Sequence, residues 1–481
     1  MEANKTYKDK WFIMAAVAMG VFLATIDSSI VNVALPTMVK ELSTTFAVVE
    51  WIVLVYLLTI SILMLSVGRI ADIIGKKKLY LAGFLVFLTG SLLCGTATHI
   101  YALIGYRVIQ AIGAAFMMVL GTAIVTEGFP PTERGMALGF IGTVVSAGVI
   151  TGPTLGGIIL HYLKWNWIFF VNLPVGVVGI LLVQKYVPDI VPNLKQHFDI
   201  TGAVIMFLGL GSFLFSLSFG QMYGFTQPAV IILFIVFIAM LILFIRFERK
   251  TREPMLDLAL FKNTQFSVNV FTGFLTFVAN SGNFFLMPFY FTNVLHLSSG
   301  KIGLLMGIIP GVMSFTAPIS GKLSDRLGTR VISLCGLVFL FIGIFSLTTL
   351  DVMTTIPQYI IRAIPIGLGL GLFQSPNNSA IMGAAPKNRL GIAAGMMSLT
   401  RTLGQTTGIA LTGALWAARI TYYLGEFPAG GASAAPAQVQ ANSLHDVLLI
   451  SSAVIILALV VAGFAYRYEK RTLKRTTYQE S

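Results

Sequence analysis

The chain is a succession of long apolar runs broken at charged or turn-rich points, and this pattern constrains the fold more than any other feature. The runs cover about 11–38, 47–68, 79–98, 101–123, 135–161, 167–187, 200–220, 228–246, 265–292, 302–321, 331–350, 357–384, 391–417 and 446–466, fourteen in all. A helix needs roughly 20 apolar residues to cross a bilayer. In lipid every backbone N–H and C=O must find its partner inside the segment, so uniform apolar runs of this length form helices. Only 11% of the 481 residues are charged, against about 25% in soluble domains. The expected fold is therefore all-α and integral to the membrane, with 14 transmembrane helices. The first run is too long for the apolar core of a cleavable signal, about 7–15 residues. It is expected to stay as a membrane helix.

An even number of crossings puts both ends of the chain on one side. Lys40, Lys164, Lys301 and Arg419 fall on the opposite side, and Arg107, Arg362 and Arg401 lie inside apolar runs. Every other one of the 32 lysines and arginines falls on the side of the termini. By the positive-inside rule that side is the cytoplasm. The net charge of +13 is then topology and attraction to anionic lipid headgroups, and nucleic acid is not an expected partner. Cys94 and Cys335 sit in different runs, which suits small buried side chains better than a disulfide. The stretch 246–262 reads as an amphipathic linker at the membrane surface. The Ala, Gly and Pro-rich stretch 426–442 reads as a mobile outer loop.

Asp27 lies within the first run, in Ala24-Thr25-Ile26-Asp27-Ser28-Ser29-Ile30-Val31-Asn32. A carboxylate there costs at least ~2.5 kcal/mol by insertion scales, so it is expected to have a partner and a use. Other acids, such as Glu50, Asp199, Asp351 and Asp446, read as loop or helix-end residues. Arg107 lies at a matching depth and is the candidate partner. Burial favours the neutral carboxyl and a nearby guanidinium the charged one; a group under opposed influences can load and release a proton. Asp27 and Arg107 are thus the candidate proton-coupling pair.

The chain also repeats itself at an offset of about 253–256 residues, as internally duplicated proteins do. Gly68-Arg69-Ile70-Ala71-Asp72-Ile73-Ile74-Gly75-Lys76 recurs as Gly321-Lys322-Leu323-Ser324-Asp325-Arg326-Leu327-Gly328-Thr329. Gly148 and Gly152 recur as Gly404 and Gly408, and Arg107 as Arg362. The expected organisation is an N-terminal six-helix bundle over 1–190, two inserted helices and a linker over 191–262, and a C-terminal six-helix bundle over 263–481. The two bundles form a parallel pseudo-symmetric repeat, an arrangement found in transporters that rock two bundles about a central site.

These stretches resemble the major facilitator superfamily, and more closely its 14-helix drug:proton antiporter branch. The 68–78 stretch is similar to the superfamily's loop 2–3 signature. Tyr106-Arg107-Val108-Ile109-Gln110-Ala111-Ile112-Gly113 is similar to its helix 4 motif, and Gly148-Val149-Ile150-Thr151-Gly152-Pro153-Thr154-Leu155-Gly156-Gly157 to the helix 5 antiporter motif. The stretch Val31-Asn32-Val33-Ala34-Leu35-Pro36 and the stretch Trp165-Asn166-Trp167-Ile168-Phe169-Phe170-Val171-Asn172-Leu173-Pro174 resemble the 14-helix branch. The resemblance implies that Gly68, Arg69, Asp72, Gly75, Lys76 and Glu127 hold the inner side closed during switching. Gly148, Gly152 and Gly156 are four apart, which lines one helix face with small residues, and Pro153 bends that helix. The resemblance ties this face to exporters that exchange substrate for protons.

The expected activity is proton-coupled export of amphipathic small molecules, by a monomer and with no cofactor or metal. A dedicated exporter of one metabolite, siderophore or lipid precursor is the alternative. Candidate substrate-binding residues are Asn280, Asn283, Tyr290, Arg362, Gln374, Asn377, Arg401 and Gln405. With Asp27 the one deep carboxylate and three deep arginines, neutral, zwitterionic or anionic amphiphiles are expected over dications. Enzyme chemistry is not expected. His99, His161, His197, His296 and His445 are scattered, and no Gly-x-x-x-x-Gly-Lys-Ser/Thr loop is present to cradle phosphates.

Overall fold

A computed structural model describes residues 9–130, 133–189, 200–251, 258–386, 390–426, 428 and 430–479. The side chains of some helical residues, including Gly68, Arg69, Asp72, Arg134, Gly139 and Asp325, lie outside the described set, as does Arg389 altogether. The described residues form helices joined by short connections. The fourteen apolar runs are largely helical, three of them (47–68, 167–187 and 302–321) as two successive helices, and twelve helical spans among the described residues are long and apolar enough to cross a bilayer. Ile200–Tyr223 and Leu390–Leu424 are helical but are not among those twelve.

Two compact units result. The first comprises Met1–Met255, Phe291–Gly307 and Ala429–Ala434. Its central element is α1 (Lys10–Glu41), which is buried from Ile13 to Met38 on nearly all sides. A helix apolar all round is a core helix. The next helices are α2 (Phe46–Val49), α3 (Trp51–Ile74), α4 (Lys76–Gly95), α5 (Ile100–Gly128) and α6 (Arg134–Tyr162). A kinked pair, α7 (Trp167–Phe170) and α8 (Asn172–Tyr186), follows. The helices α9 (Ile200–Tyr223) and α10 (Pro228–Glu248) pack on each other. At the N-terminal end of α3, Trp51 Nε1 donates to Ser218 Oγ at 2.7 Å and its ring lies 4.6 Å from Phe215, which ties α9 to α3. The surface of α10 is almost wholly exposed apolar side chains, as suits a helix that meets lipid.

The second unit comprises Leu256–Tyr290, Ile308–Pro428 and Ala435–Ser481. It contains α11 (Thr264–Phe289), α13 (Ile308–Leu327), α14 (Thr329–Leu347), α15 (Ile356–Ala384), α16 (Leu390–Leu424) and α17 (Ala437–Gln479); α12 (Ser299–Met306) belongs to the first unit. One repeated stretch has a similar backbone turn at both places. Gly75 (φ 100°, ψ 135°) precedes α4 and Gly328 (φ 89°, ψ 141°) precedes α14. Both need a conformation that residues with a Cβ rarely adopt. Helix pairing repeats too, with α6 on α1 and α16 on α11.

Two sequence expectations are corrected. The stretch 426–442, expected to be a mobile outer loop, is held at its middle and ends in a helix: Ala432 is 2% exposed, Asn293 Nδ2 donates to the Ser433 carbonyl, and α17 begins at Ala437. Small residues allow that close packing as readily as they allow motion. Cys335 is exposed on α14, whereas Cys94 is buried. Of the linker, 252–257 lie outside the described residues.

Candidate functional site

The cluster around Asp27 is assembled by five helices of the first unit. Asp27, on α1, is fully buried, as is Arg107 on α5. Arg107 Nη1 donates to Asp27 Oδ2 at 2.5 Å. Gln110 Nε2 donates to Asp27 Oδ1 at 2.7 Å, and Asn172 Nδ2 to the same oxygen at 3.0 Å. The carboxylate thus accepts three hydrogen bonds, one of them charge-assisted. The expected pair is present, and two amides complete it.

A second layer fixes these groups. Arg107 Nε donates to the Ile52 carbonyl on α3 at 3.1 Å, and Nη1 also reaches Gln110 Oε1 at 2.7 Å. The guanidinium carbon lies 4.0 Å from the Tyr56 ring centroid, close enough for a cation–π contact. Tyr56 donates to the Ala24 carbonyl at 3.1 Å, holding α3 against α1 one turn before Asp27. Ser91, on α4, accepts from Gln110 at 2.8 Å. Gln110 reaches this position because α4 and α5 touch at Gly90, where a Cβ would stand 2.5 Å from the Gln110 nitrogen.

The antiporter-like stretch of α6 lies directly beside the cluster. A Cβ on Gly148, Gly152 or Gly156 would meet Thr25, Ser29 or Ile30 of α1, at 2.9, 1.9 and 2.9 Å respectively. Ser29 Oγ donates to the Gly148 carbonyl at 3.1 Å. The glycine stripe therefore holds α6 against the two turns of α1 that flank Asp27. A different face of α6 meets α12: a Cβ on Gly303 would lie 2.4 Å from the Pro153 carbonyl oxygen.

At the other end of the unit, Lys76 pairs with Glu127. Lys10 Nζ lies 2.6 Å from Glu133 Oε2, a pairing that sequence reasoning missed. The roles expected of Gly68, Arg69 and Asp72 fall on side chains outside the described residues. Lys76 and Glu127 keep 19% and 40% exposure, and exposed pairs contribute about 0.2–1 kcal/mol. Glu127→Gln is accordingly expected to shift the stability of the purified protein by less than about 1 kcal/mol in a thermal unfolding assay.

The second-half candidates separate into two groups. Tyr290 and Arg362 are engaged elsewhere. Tyr290 donates to the Asp351 carbonyl at 2.7 Å. Arg362 Nε donates to Thr349 Oγ1 at 2.8 Å, and Nη1 to the Gln358 carbonyl at 2.9 Å. Arg362 is thus a loop anchor and only half-buried, whereas Arg107, at a similar distance into its helix, is fully buried. Asn283 accepts from Ser451 Oγ at 3.1 Å. Asn377 on α15 and Thr400 on α16 both approach Gly273 of α11, and Arg401 and Gln405 are half-buried on α16. Arg401 makes no hydrogen bond or ion pair with a described residue. Asn280 and Gln374 are also half-buried.

Glu50 corrects the count of deep charges. The helix runs through it (φ −55°, ψ −34°), and it is 1% exposed. Buried carboxyl groups among the described residues are then Asp27, Glu50 and, at the end of α10, Glu248, so Asp27 is not the one buried acid.

Comparison with known proteins agrees with this architecture. Residues 17–409 match the family described as Major Facilitator Superfamily. The chain is 32% identical over 416 residues to a riboflavin transporter of Clostridioides difficile, covering 86% of this chain and 90% of that one. It is 30% identical over 445 residues to the multidrug resistance protein Stp of Mycobacterium tuberculosis, covering 91% and 81%. It is 29% identical to the multidrug transporter protein MdtP of Bacillus subtilis, covering 88% and 79%. Among solved structures, a POT family transporter with a bound peptide conjugate matches at TM-score 0.70 and 15% identity, covering 94% of this chain and 96% of that one. A bacterial Spinster homologue matches at TM-score 0.67 and 16% identity, covering 95% and 97%. These two show the fold alone. With the sequence match spanning most of the chain and the fold agreeing, this multi-pass membrane protein belongs to the major facilitator superfamily.

Proposed function

We propose that the protein is a proton-coupled antiporter that exports amphipathic small molecules by alternating access. It acts as a monomer with fourteen crossings in the cell membrane, the bacterial inner membrane, with both termini in the cytoplasm. The observation that carries this reading is the fully buried Asp27 held by three donors. Adding a proton to that carboxyl removes an acceptor and breaks at least one of these bonds. The freed guanidinium or amide then loosens α5 or α8 from α1. Proton loading is thereby converted into helix movement at the position where the α6 glycines already allow close sliding contact. Asn280, Asn283, Gln374, Asn377, Arg401 and Gln405 are the side chains proposed to meet substrate, Arg401 being the one with charge to offer. Relatives named for multidrug resistance support the substrate class.

The test is transport in proteoliposomes under an imposed pH gradient, across cationic, neutral and anionic dyes. Asp27→Asn keeps the shape and the amide bonds but cannot carry a proton. It leaves the Arg107 guanidinium without its carboxylate, so it is expected to fold with lowered stability and to abolish pH-driven export; export that kept its full dependence on the gradient would sink the reading. A dedicated exporter of one metabolite is the second reading, favoured by the similarity to a protein named as a riboflavin transporter. Riboflavin therefore belongs in the panel. Its transport to the exclusion of the dyes would establish that reading.

A further inference from the structure

Glu50 is used by nothing described so far. It lies between α2 and α3, is 1% exposed, and its Oε1 is buried without a hydrogen-bond partner. Its backbone is fully engaged: its N–H donates to the Phe46 carbonyl at 3.0 Å, and its carbonyl accepts from Val53 and Leu54. The surrounding elements do not neutralise it. Asp27, Lys40 and Glu41 lie on α1, Tyr101, Tyr106 and Arg107 on α5, and Tyr223 on α9. None of them bonds to or pairs with Glu50, while Asp27 and Arg107 satisfy each other. Tyr56, on its own helix, is turned to Ala24 and Arg107. An ionised carboxylate left unpaired out of water costs several kcal/mol, and such groups take a proton instead.

The cover over this stretch is built from a distant part of the chain. The single-turn helix Ala432–Ala434 packs on α2, and a Cβ on Gly431 would stand 3.1 Å from Thr45 Cβ. Ala432 is 2% exposed, and Asn293 Nδ2 holds the Ser433 carbonyl at 3.3 Å. The outer connection before α17 thus lies on the same short helix that leads into Glu50.

We propose that Glu50 is a second proton-binding site, one whose occupancy is linked to closure of the segment 430–434 over the outer end of α2 and α3. The carboxyl takes a proton from outer water as this end closes. When the end opens, the O–H bond breaks and the proton returns to water. Asp27 and Glu50 then have separate duties, the first in coupling and the second in timing the outer closure. The direction of the exchange rests on the antiport reading above; the proton site itself does not.

The test reads the site without transport. A cysteine is placed at Thr45 in a Cys335→Ala background and labelled with a membrane-impermeant thiol reagent at a series of outer pH values. Where Glu50 titrates, its linkage changes the open-to-closed ratio by up to about tenfold per pH unit. Labelling, divided at each pH by that of a small free thiol to remove the reagent's own pH dependence, is expected to rise with pH at up to that slope in the Glu50-containing protein. It should be flat and low in Glu50→Gln, and should again rise with pH in Glu50→Asp and in Asp27→Asn. Infrared spectroscopy of the reconstituted protein provides the second readout. A protonated-carboxyl C=O component that shifts in D2O is expected in the Asp27→Asn protein and should be lost in the protein that also carries Glu50→Gln, read as the difference between the two spectra. A pH slope unchanged by Glu50→Gln, or a difference spectrum without that component, overturns the proposal. Absence of pH-driven export by the unaltered protein overturns the antiport reading instead, and leaves the labelling and the band to decide on Glu50.

Discussion

Replacing Arg107 by alanine is expected to lower the unfolding midpoint of the purified protein sharply and to abolish transport. The guanidinium holds Asp27 Oδ2 at 2.5 Å, Gln110 Oε1 at 2.7 Å and the Ile52 carbonyl at 3.1 Å, all inside a fully buried cluster. Removing it strands a carboxylate in the core of the first unit, and breaking one partner of a buried pair costs about 3–5 kcal/mol. Arg107→Lys keeps the charge but offers a point ammonium in place of a planar fork, so it cannot serve three acceptors on three elements together. It is expected to fold with intermediate stability and to transport poorly. The informative variant is the double change Arg107→Ala with Asp27→Asn. It removes both charges and should recover part of the lost stability while remaining uncoupled. If the double variant unfolds as early as Arg107→Ala alone, the loss comes from the cavity and the lost Tyr56 contact, and the uncompensated charge is not its cause.

The Asp27–Arg107 pair was legible in the sequence because charge inside an apolar run is costly enough to demand a partner. Gln110 and Asn172 were not, since an amide in a membrane helix carries no such penalty and signals nothing alone. The available clue was spacing: Gln110 is three residues from Arg107, and so on the same helical face. Glu50 was misread as shallow because it stands near the start of the 47–68 run; it does end one helix and begin the next, but that junction is buried. The chain is already helical from Phe46, which carries the carboxyl one turn inward. Arg362 was misread for the opposite reason. Alignment of the repeats put it opposite Arg107, but local geometry gives it to Thr349 and the Gln358 carbonyl. The helices themselves were legible nearly to their ends, because lipid leaves the backbone no other way to satisfy its polar groups.

The glycine stripe of α6 shows what periodicity reveals and what it hides, and it carries the second large prediction. Spacing by four identified one face; the partner, α1 at Thr25, Ser29 and Ile30, came only with the fold. At Gly152 an added Cβ would stand 1.9 Å from Ser29 Oγ and 2.9 Å from the Ile30 backbone nitrogen. A serine hydroxyl can rotate away, but at the cost of its bonds to the Ile26 and Gly148 carbonyls. The backbone nitrogen cannot move without shifting the turn that positions Asp27. Gly152→Val is therefore expected to push α6 from α1, to cost about 1–3 kcal/mol or more through overpacking, and to stop export by misplacing Asp27 against Gln110 and Asn172. Gly152→Ala combined with Ser29→Gly removes the worst clash and leaves the one at Ile30, so its activity should lie between that of Gly152→Ala and the unaltered protein. Gly142, on the same helix, has nothing within 4 Å of its added Cβ. There alanine should be neutral or stabilising by up to about 1 kcal/mol, from helix propensity alone. Thermal unfolding and dye export measured together on these variants separate close packing at one face from a general intolerance of α6. Equal damage from Gly142→Ala and Gly152→Ala would show that the close approach to α1 is not what the stripe provides.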